Sequence, residues 1–305
     1  MIIQIYEIQT LQEAEKCIEL GVDHLGSVLF SQDKWRVPEL KEVIRLSDGT
    51  ETKNSIIPLF QDRDTLFRSL DYYRPHYVHF CDSLTDNEGR EKDLEEFIDF
   101  QENLKEKFPQ ISIIRSIPLP QKGAAPGFSS LAIARKLEHA SDILLTDTWL
   151  GKEPVKGYIG ITGITADWGV ARELVRQSHS PVILAGGLSP ENVYEAVSKV
   201  FPAGADSCTG TNKTDQDGKP VRFKKDFQKV KKFVEGVRRF EKDMELRKED
   251  LTFKLNQLKT ELQEREAALP AHSVRPNQLI AIEELEEAIE IKEREINRIN
   301  KASIN

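Results

Sequence analysis

The chain has 305 residues, 39% of them hydrophobic, enough for one large domain with an appendage or for two ordinary domains. A net charge of −8 argues against a sequence-independent nucleic-acid binder, and no apolar run approaches the ~20 residues of a membrane span. Cys17, Cys81 and Cys208 are few and widely spaced, which suggests neither a disulfide framework nor a zinc site and fits a soluble protein of a reducing cytoplasm. From the N-terminus, strand and helix patterns alternate. Ile2–Tyr6 reads as a strand, and Thr10 caps a helix with Leu11, Ala14, Cys17 and Ile18 on one face, stopped by Gly21. Further strands are expected at His24–Phe30, Ser55–Phe60, Tyr77–Cys81, Ile111–Ile117 and Asp142–Thr146. Helices are expected between them at Pro38–Ser47, through Leu66, Leu70 and Tyr73, at Lys92–Lys107, at Ser129–Leu137 and at Asp167–Arg176. Val182–Leu184 and Gly204–Ser207 complete a set of eight, and Lys224–Phe233 reads as the last helix. Eight such units in about 240 residues have the length and rhythm of a (β/α)8 barrel, which is preferred to a doubly wound open sheet.

The last two strands each run into a small glycine-containing loop. Val182–Leu184 leads into Gly186 and Gly187, then Ser189-Pro190-Glu191, read as an N-cap, a first-turn proline and a first-turn acid. Gly204–Ser207 leads into Thr209-Gly210-Thr211. Such loops let backbone N–H groups approach an anion with no Cβ in the way, and those after strands seven and eight of a barrel form a common phosphate site. Gly186, Gly187, Thr209 and Gly210 are therefore the candidate phosphate ligands, and a phosphorylated, sugar-like small molecule is the expected partner. Barrel chemistry sits at the C-terminal ends of strands, which selects Tyr6, Glu7, Arg36, Gln61, Asp62, Cys81, Asp82, Arg115, Asp147, Asp206 and Cys208. No cofactor or metal is expected, since His272 has neither a cysteine nor a second histidine nearby and His79 suits the core of a strand.

Beyond about Phe223 the charge density climbs. Leu251, Leu255, Leu258 and Leu262 follow the 4-3-4 spacing of a coiled-coil seam. A proline-containing break from Leu269 to Pro276 precedes a second amphipathic helix carrying Ile282, Leu285, Ile289, Ile296 and Ile299. The tail reads as an antiparallel helical hairpin, dividing the chain into a barrel over 1–238 and an extension over 239–305. A two-helix hairpin leaves its apolar stripe half wet, so a homodimer or another protein partner through the hairpin is expected.

The barrel resembles the phosphoribosylanthranilate isomerase family of tryptophan biosynthesis. That family's Leu-Ala-Gly-Gly-Leu-x-Pro-Glu-Asn-Val stands here as Leu184 to Val193, and its Leu-Leu-x-Asp as Leu144 to Asp147. Its Gly-Gly-Thr-Gly followed by Asp-Trp is matched by Gly160 to Gly163 with Asp167 and Trp168, and its Asp-x-Ser-Ser-Gly by Asp206 to Gly210. An arginine after the second strand matches Arg36. The resemblance spans about residues 1–235 and implies a barrel of the ribulose-phosphate-binding type that performs an Amadori rearrangement. It also implies Asp147 as the acid that opens the sugar ring, kept protonated by burial, with Arg36 and Asp206 binding substrate. The family's base is a first-strand cysteine in Lys-x-Cys-Gly-x-Thr. This chain reads Gln4-Ile5-Tyr6-Glu7-Ile8-Gln9 there, and a tyrosine of pKa about 10 is a poor base. Glu7 and Cys81 are the substitutes to consider, against bland roles as a solvated loop acid and a small buried hydrophobe. Three readings stay open: an isomerase with an unconventional base, a related barrel acting on another phosphorylated ligand, and a non-catalytic scaffold whose hairpin recruits a partner.

Overall fold

The computed structural model describes residues 1–123, 128–270 and 275–304. Eight parallel strands close a barrel in sequence order: β1 (Ile2–Ile5), β2 (His24–Leu29), β3 (Lys53–Pro58), β4 (Tyr77–Phe80), β5 (Ser112–Leu119), β6 (Ile143–Thr148), β7 (Val182–Leu184) and β8 (Gly204–Ser207). Closure pairs β1 with β8, placing Gln4 opposite Asp206 and Ile5 opposite Ser207. Seven helices alternate with the strands: α1 (Leu11–Glu19), α2 (Pro38–Arg45), α3 (Arg63–Tyr73), α4 (Glu95–Lys107), α5 (Ser130–Leu137), α6 (Trp168–Gln177) and α7 (Val193–Val200).

Local chemistry sets several helix starts. Thr10 Oγ1 accepts from Glu13 N at 3.3 Å while the Glu13 carboxylate accepts from Gln9 N at 3.3 Å, a reciprocal capping pair. Asp62 caps α3 through Thr65 N at 2.9 Å, which gives this strand-end acid a structural role. Asp167 caps α6 through Gly169 N at 2.8 Å. The helix after β7 begins later than Ser189 suggests. Ser189–Asn192 is a turn in which Asn192 Oδ1 accepts from Ser189 N at 2.9 Å and Asn192 Nδ2 donates to Gly187 O at 3.0 Å, so the side chain of Asn192 braces the glycine loop.

Side chains alternate along each strand. One set, with Leu66, Leu70, Val78, Phe80, Leu104, Phe108 and Ile113, forms the layer between the sheet and α3 and α4. The other, with Tyr6, Ile114, Ile143, Leu145, Ile183 and Ala185, fills the lumen.

A two-stranded antiparallel sheet, β9 (Asn212–Thr214) and β10 (Pro220–Lys225), follows the eighth strand where the sequence suggested only loop and the start of a helix. Asp217-Gly218 was its signal, a turn pair between two short polar strands; Gly218 has φ +78°. The last barrel helix, α8 (Phe227–Ala267), starts after Asp226 and continues unbroken for 41 residues.

Two compact units result, Met1–Arg238 and Arg239–Ile304. Within the second, α9 (Pro276–Ile304) returns along α8, with ion pairs Arg247–Glu295 and Lys259–Glu293 between them. Leu251, Leu255 and Ile299 are buried on the seam, while Leu258, Leu262, Ile282, Leu285, Ile289 and Ile296 are half-buried. His272, in the break between these helices, lies outside the described residues. No helix among the described residues is long and apolar enough to cross a membrane.

Candidate active site

Both glycine loops reach one cleft at the C-terminal end of the barrel. It is lined by Asp147, Ile161, Thr162, Gly163, Gly186, Gly187, Leu188, Asp206, Cys208, Thr209 and Gly210. The four candidate phosphate ligands, the candidate acid and Asp206 thus meet in one place. Gly186 and Gly187 have φ of +89° and +67°, the left-handed region that glycine adopts without strain. At Gly187 there is a second reason for glycine. A Cβ there would lie 2.5 Å from the Ile164 carbonyl carbon and the Thr165 nitrogen, so the β6–α6 segment passes directly over the loop. Gly210 is as tightly placed, since its Cβ would stand 2.2 Å from Leu188 O. A side chain at Gly187 would strike this overlying backbone before it reached any anion.

Asp147 ends β6 under Gly160, whose absent Cβ leaves room for the carboxylate. Burial raises its pKa to about 7, against the lowering effect of the Thr148 N–H that donates to Oδ1 at 2.8 Å. Asp206 faces the same cleft from β8, and burial raises it to about 8. Gln4 Nε2, donating to Oδ1 at 3.1 Å, works against that rise, while the charge of Asp147 adds to it. Burial thus keeps both carboxyls largely protonated near neutral pH, and the charge of Asp147 works against ionisation of Asp206.

The candidates for the base fare differently. Tyr6 points into the lumen, its ring so close to Gly26 that a Cβ there would lie 2.0 Å from Tyr6 Cδ1. Its hydroxyl is bonded to Ser55 Oγ at 2.8 Å and His79 Nδ1 at 2.6 Å, and His79 Nε2 continues the chain to Ser116 Oγ at 2.7 Å. Burial drives the phenol well above its ordinary value and lowers the imidazole to about 3, so this is a neutral, satisfied network. His79 is the core histidine the sequence suggested.

Glu7 is a correction. It is 1% exposed rather than solvated, and it does not line the cleft. Its carboxylate turns to the β9–β10 hairpin and accepts from Asn212 Nδ2 at 2.8 Å, Arg222 Nε at 2.8 Å and Phe223 N at 3.1 Å. Burial would raise its pKa, but these bonds outweigh burial and hold it below the usual carboxylate value. Its φ of +64° lies in the left-handed region, where the family pattern has glycine, and the three bonds hold it there.

Cys81 is likewise outside the cleft lining, packed with Tyr158 and Ile159, and burial pushes its thiol far up. Arg36 is exposed, its guanidinium 4.6 Å above the Tyr72 ring and away from the cleft. The segment is held against α3 because Tyr73 Oη donates to Trp35 O at 2.8 Å and accepts from Val37 N at 2.7 Å.

Gln61, Asp82 and Arg115 line a separate cavity of about 200 Å³ with Phe60, Phe80, Phe97 and Phe100. Its charges are mutually satisfied, Arg115 with Asp82 at 3.0 Å and Arg63 with Glu96 at 2.8 Å, so it supplies no acid for the cleft.

Lys225 is the buried residue beside the cleft that sequence reasoning missed. Only 1% exposed, it donates from Nζ to Cys208 O at 2.7 Å, Asn212 Oδ1 at 2.6 Å and Thr211 Oγ1 at 3.3 Å. The ammonium thus pins the loop that carries Thr209 and Gly210. Nothing in a Lys-Lys pair before a helix distinguishes this role from a solvated face. Among the described residues no group of three His, Cys, Asp or Glu side chains could hold a metal ion.

Comparison with known proteins bears on the same half of the barrel. The family model for N-(5′-phosphoribosyl)anthranilate isomerase matches residues 99–236, which include Asp147, Asp206 and both glycine loops. The isomerase of Methanocella arvoryzae is 36% identical over 140 residues, covering 46% of this chain and 57% of its own. That of Aquifex aeolicus is 27% identical over 242 residues, covering 77% and 98%. The chain spans little more than half the length of several such relatives, 51% for that of Methanosarcina acetivorans at 34% identity. The solved isomerase of Thermotoga maritima superposes with a TM-score of 0.57 at 21% identity, covering 78% of this chain and 99% of its own, a likeness of fold.

Proposed function

Because the chain belongs to the phosphoribosylanthranilate isomerase family, we propose that its barrel, residues 1–238, catalyses the Amadori rearrangement of phosphoribosylanthranilate in tryptophan biosynthesis, in the cytoplasm. A related solved isomerase carries reduced 1-(o-carboxyphenylamino)-1-deoxyribulose 5-phosphate, and a ligand of the same kind is proposed for this chain. The observation that carries the reading is the single cleft. It joins the two glycine loops to a carboxyl whose pKa is raised to about 7. The N–H groups around Gly186, Gly187, Thr209 and Gly210 bind the phosphate, and protonated Asp147 gives its proton to the ring oxygen. Binding of a sugar phosphate would require the cleft, about 30 Å³, to widen.

Complementation of a tryptophan auxotroph lacking this isomerase tests the reading, together with turnover of phosphoribosylanthranilate by the purified chain. Growth and turnover are expected, and Asp147→Asn abolishes both, since an amide cannot donate the proton. No turnover by the wild type would sink it. The result would favour a barrel that acts on another phosphorylated ligand, the reading that Tyr6 in the cysteine position supports.

The extension, residues 239–305, we assign to self-association. Phe253 and Ile280 are 63% and 53% exposed, and a seam only half-buried at Leu258 and Leu262 suits a second copy of the same hairpin.

A further inference from the structure

Among the described residues, three titratable side chains line the cleft: Asp147, Asp206 and Cys208. The first is the acid, and the other positions considered for a base are engaged elsewhere. Tyr6 is bonded to Ser55 and His79, Glu7 is turned to the hairpin, and Cys81 is walled in by Tyr158 and Ile159. Asp206 is differently placed. Among the described residues only Gln4 hydrogen-bonds its side chain, through Oδ1, which leaves Oδ2 for the cleft. Gln4 is itself oriented by His24, with Nδ1 and Gln4 Oε1 3.3 Å apart, and burial keeps that imidazole neutral by lowering it to about 4. A neutral amide therefore stands where the family pattern has a lysine. An ammonium opposite Asp206 would hold it as a tightly paired, weakly basic carboxylate; the amide orients it without that charge.

We propose that Asp206 is the general base that removes the C2′ proton, so that the reaction runs between two aspartates. The proposal rests on the isomerase reading above. Asp147 protonates the ring oxygen as the C1′–O bond breaks and the amine nitrogen's lone pair forms a C1′=N iminium. Asp206 takes the C2′ proton; the C–H electrons form C1′=C2′, and the iminium π electrons return to nitrogen. Protonated Asp206 then delivers its proton to C1′, and the C2′ hydroxyl gives its proton to Asp147 as the ketone forms. Both carboxyls are restored, and no co-reactant is needed. The forward step needs Asp147 protonated and Asp206 ionised, and the return step needs the reverse. Asp147 on β6, Lys225 on β10, Tyr6 just beyond β1 and Cys208 beyond β8 are the titratable groups around Asp206 among the described residues. Once Asp147 is protonated its repulsion vanishes and Asp206 ionises more readily, while the Lys225 charge acts in the same direction.

The test uses the full chain and two readouts, turnover of phosphoribosylanthranilate and affinity for the reduced product analogue. Asp206→Asn, which keeps the shape and the Gln4 bond, is expected to lower kcat by about 10²–10⁴-fold and to leave analogue affinity within a few-fold. Gln4→Lys, which places an ammonium against the carboxylate, is expected to move the acid limb of the kcat/KM–pH profile to lower pH. It keeps the question answerable if Asp206→Asn does not fold. Near-wild-type turnover by Asp206→Asn overturns the proposal, as does an unmoved acid limb in Gln4→Lys. So does loss of turnover in Cys208→Ala while Asp206→Asn stays active, which assigns the base to the thiol. In each of these the wild type still turns over. If the wild type itself does not, the isomerase reading falls first and takes the proposal with it.

Discussion

At the scale of single residues, the cleft stores an unfavourable charge state. Asp206 has a pKa near 8 in the folded chain and about 4 when unfolded. The folded state therefore binds the proton more tightly, so this residue's contribution to stability is full below about pH 4 and is lost as pH rises toward 8. Asp206→Asn removes that loss. Its melting temperature is expected to exceed that of the wild type at pH 8.5, by the equivalent of roughly 1–3 kcal/mol, with the margin shrinking toward pH 4. A thermal scan across that range checks it, and a constant margin would refute the linkage. Tyr6→Cys restores the family's residue type but empties the lumen of a ring and leaves Ser55 and His79 without their shared partner. It is expected to cost about 3–5 kcal/mol, read as a lower melting temperature, with no gain in turnover because Gln4 and Glu7 remain.

Among elements, the β9–β10 hairpin is the one the chain's departure from the family pattern depends on. It supplies Asn212, Arg222 and Phe223 to Glu7, and Lys225 to the loop after β8, so it braces β1 and β8 together. Lys225→Met keeps most of the buried volume and removes the ammonium. The expected result is a several-fold rise in KM for the phosphorylated substrate, because Thr209 and Gly210 lose their support, with a smaller change in kcat as Asp206 loses the lysine's charge. Steady-state kinetics at fixed pH measure it; an equal fall in kcat at unchanged KM would mean that the lysine acts on the chemistry instead.

For the whole molecule, the open question is the assembly state. With half-buried seam leucines and exposed Phe253 and Ile280, the full chain is expected to scatter light at twice its chain mass. The double substitution Phe253→Glu with Ile280→Glu is expected to give monomers whose turnover is unchanged, since the cleft is built within the barrel unit. A wild-type monomer would end the self-association reading and leave the hairpin to a different protein.

The sequence determined the barrel because its signals are local and repeated. Alternating strands, capped helices such as Thr10 with Glu13, and two glycine loops at the seventh and eighth positions each follow from backbone conformational limits that need no distant partner. Asp147 was legible for the same reason, as the residue ending an apolar strand where barrel sites lie. The fate of Glu7, Cys81 and Arg36 was not legible, because each depends on what packs against it: the β9–β10 hairpin, the Tyr158–Ile159 segment and the Tyr72 ring. Nor could the sequence show Lys225 as a buried brace or Asp206 as a neutral-range acid. A pKa and an ion's partners are set by the residues that closure brings within 3 Å or so. Gln4 and Asp206 are 202 positions apart and meet only because the first strand pairs with the last.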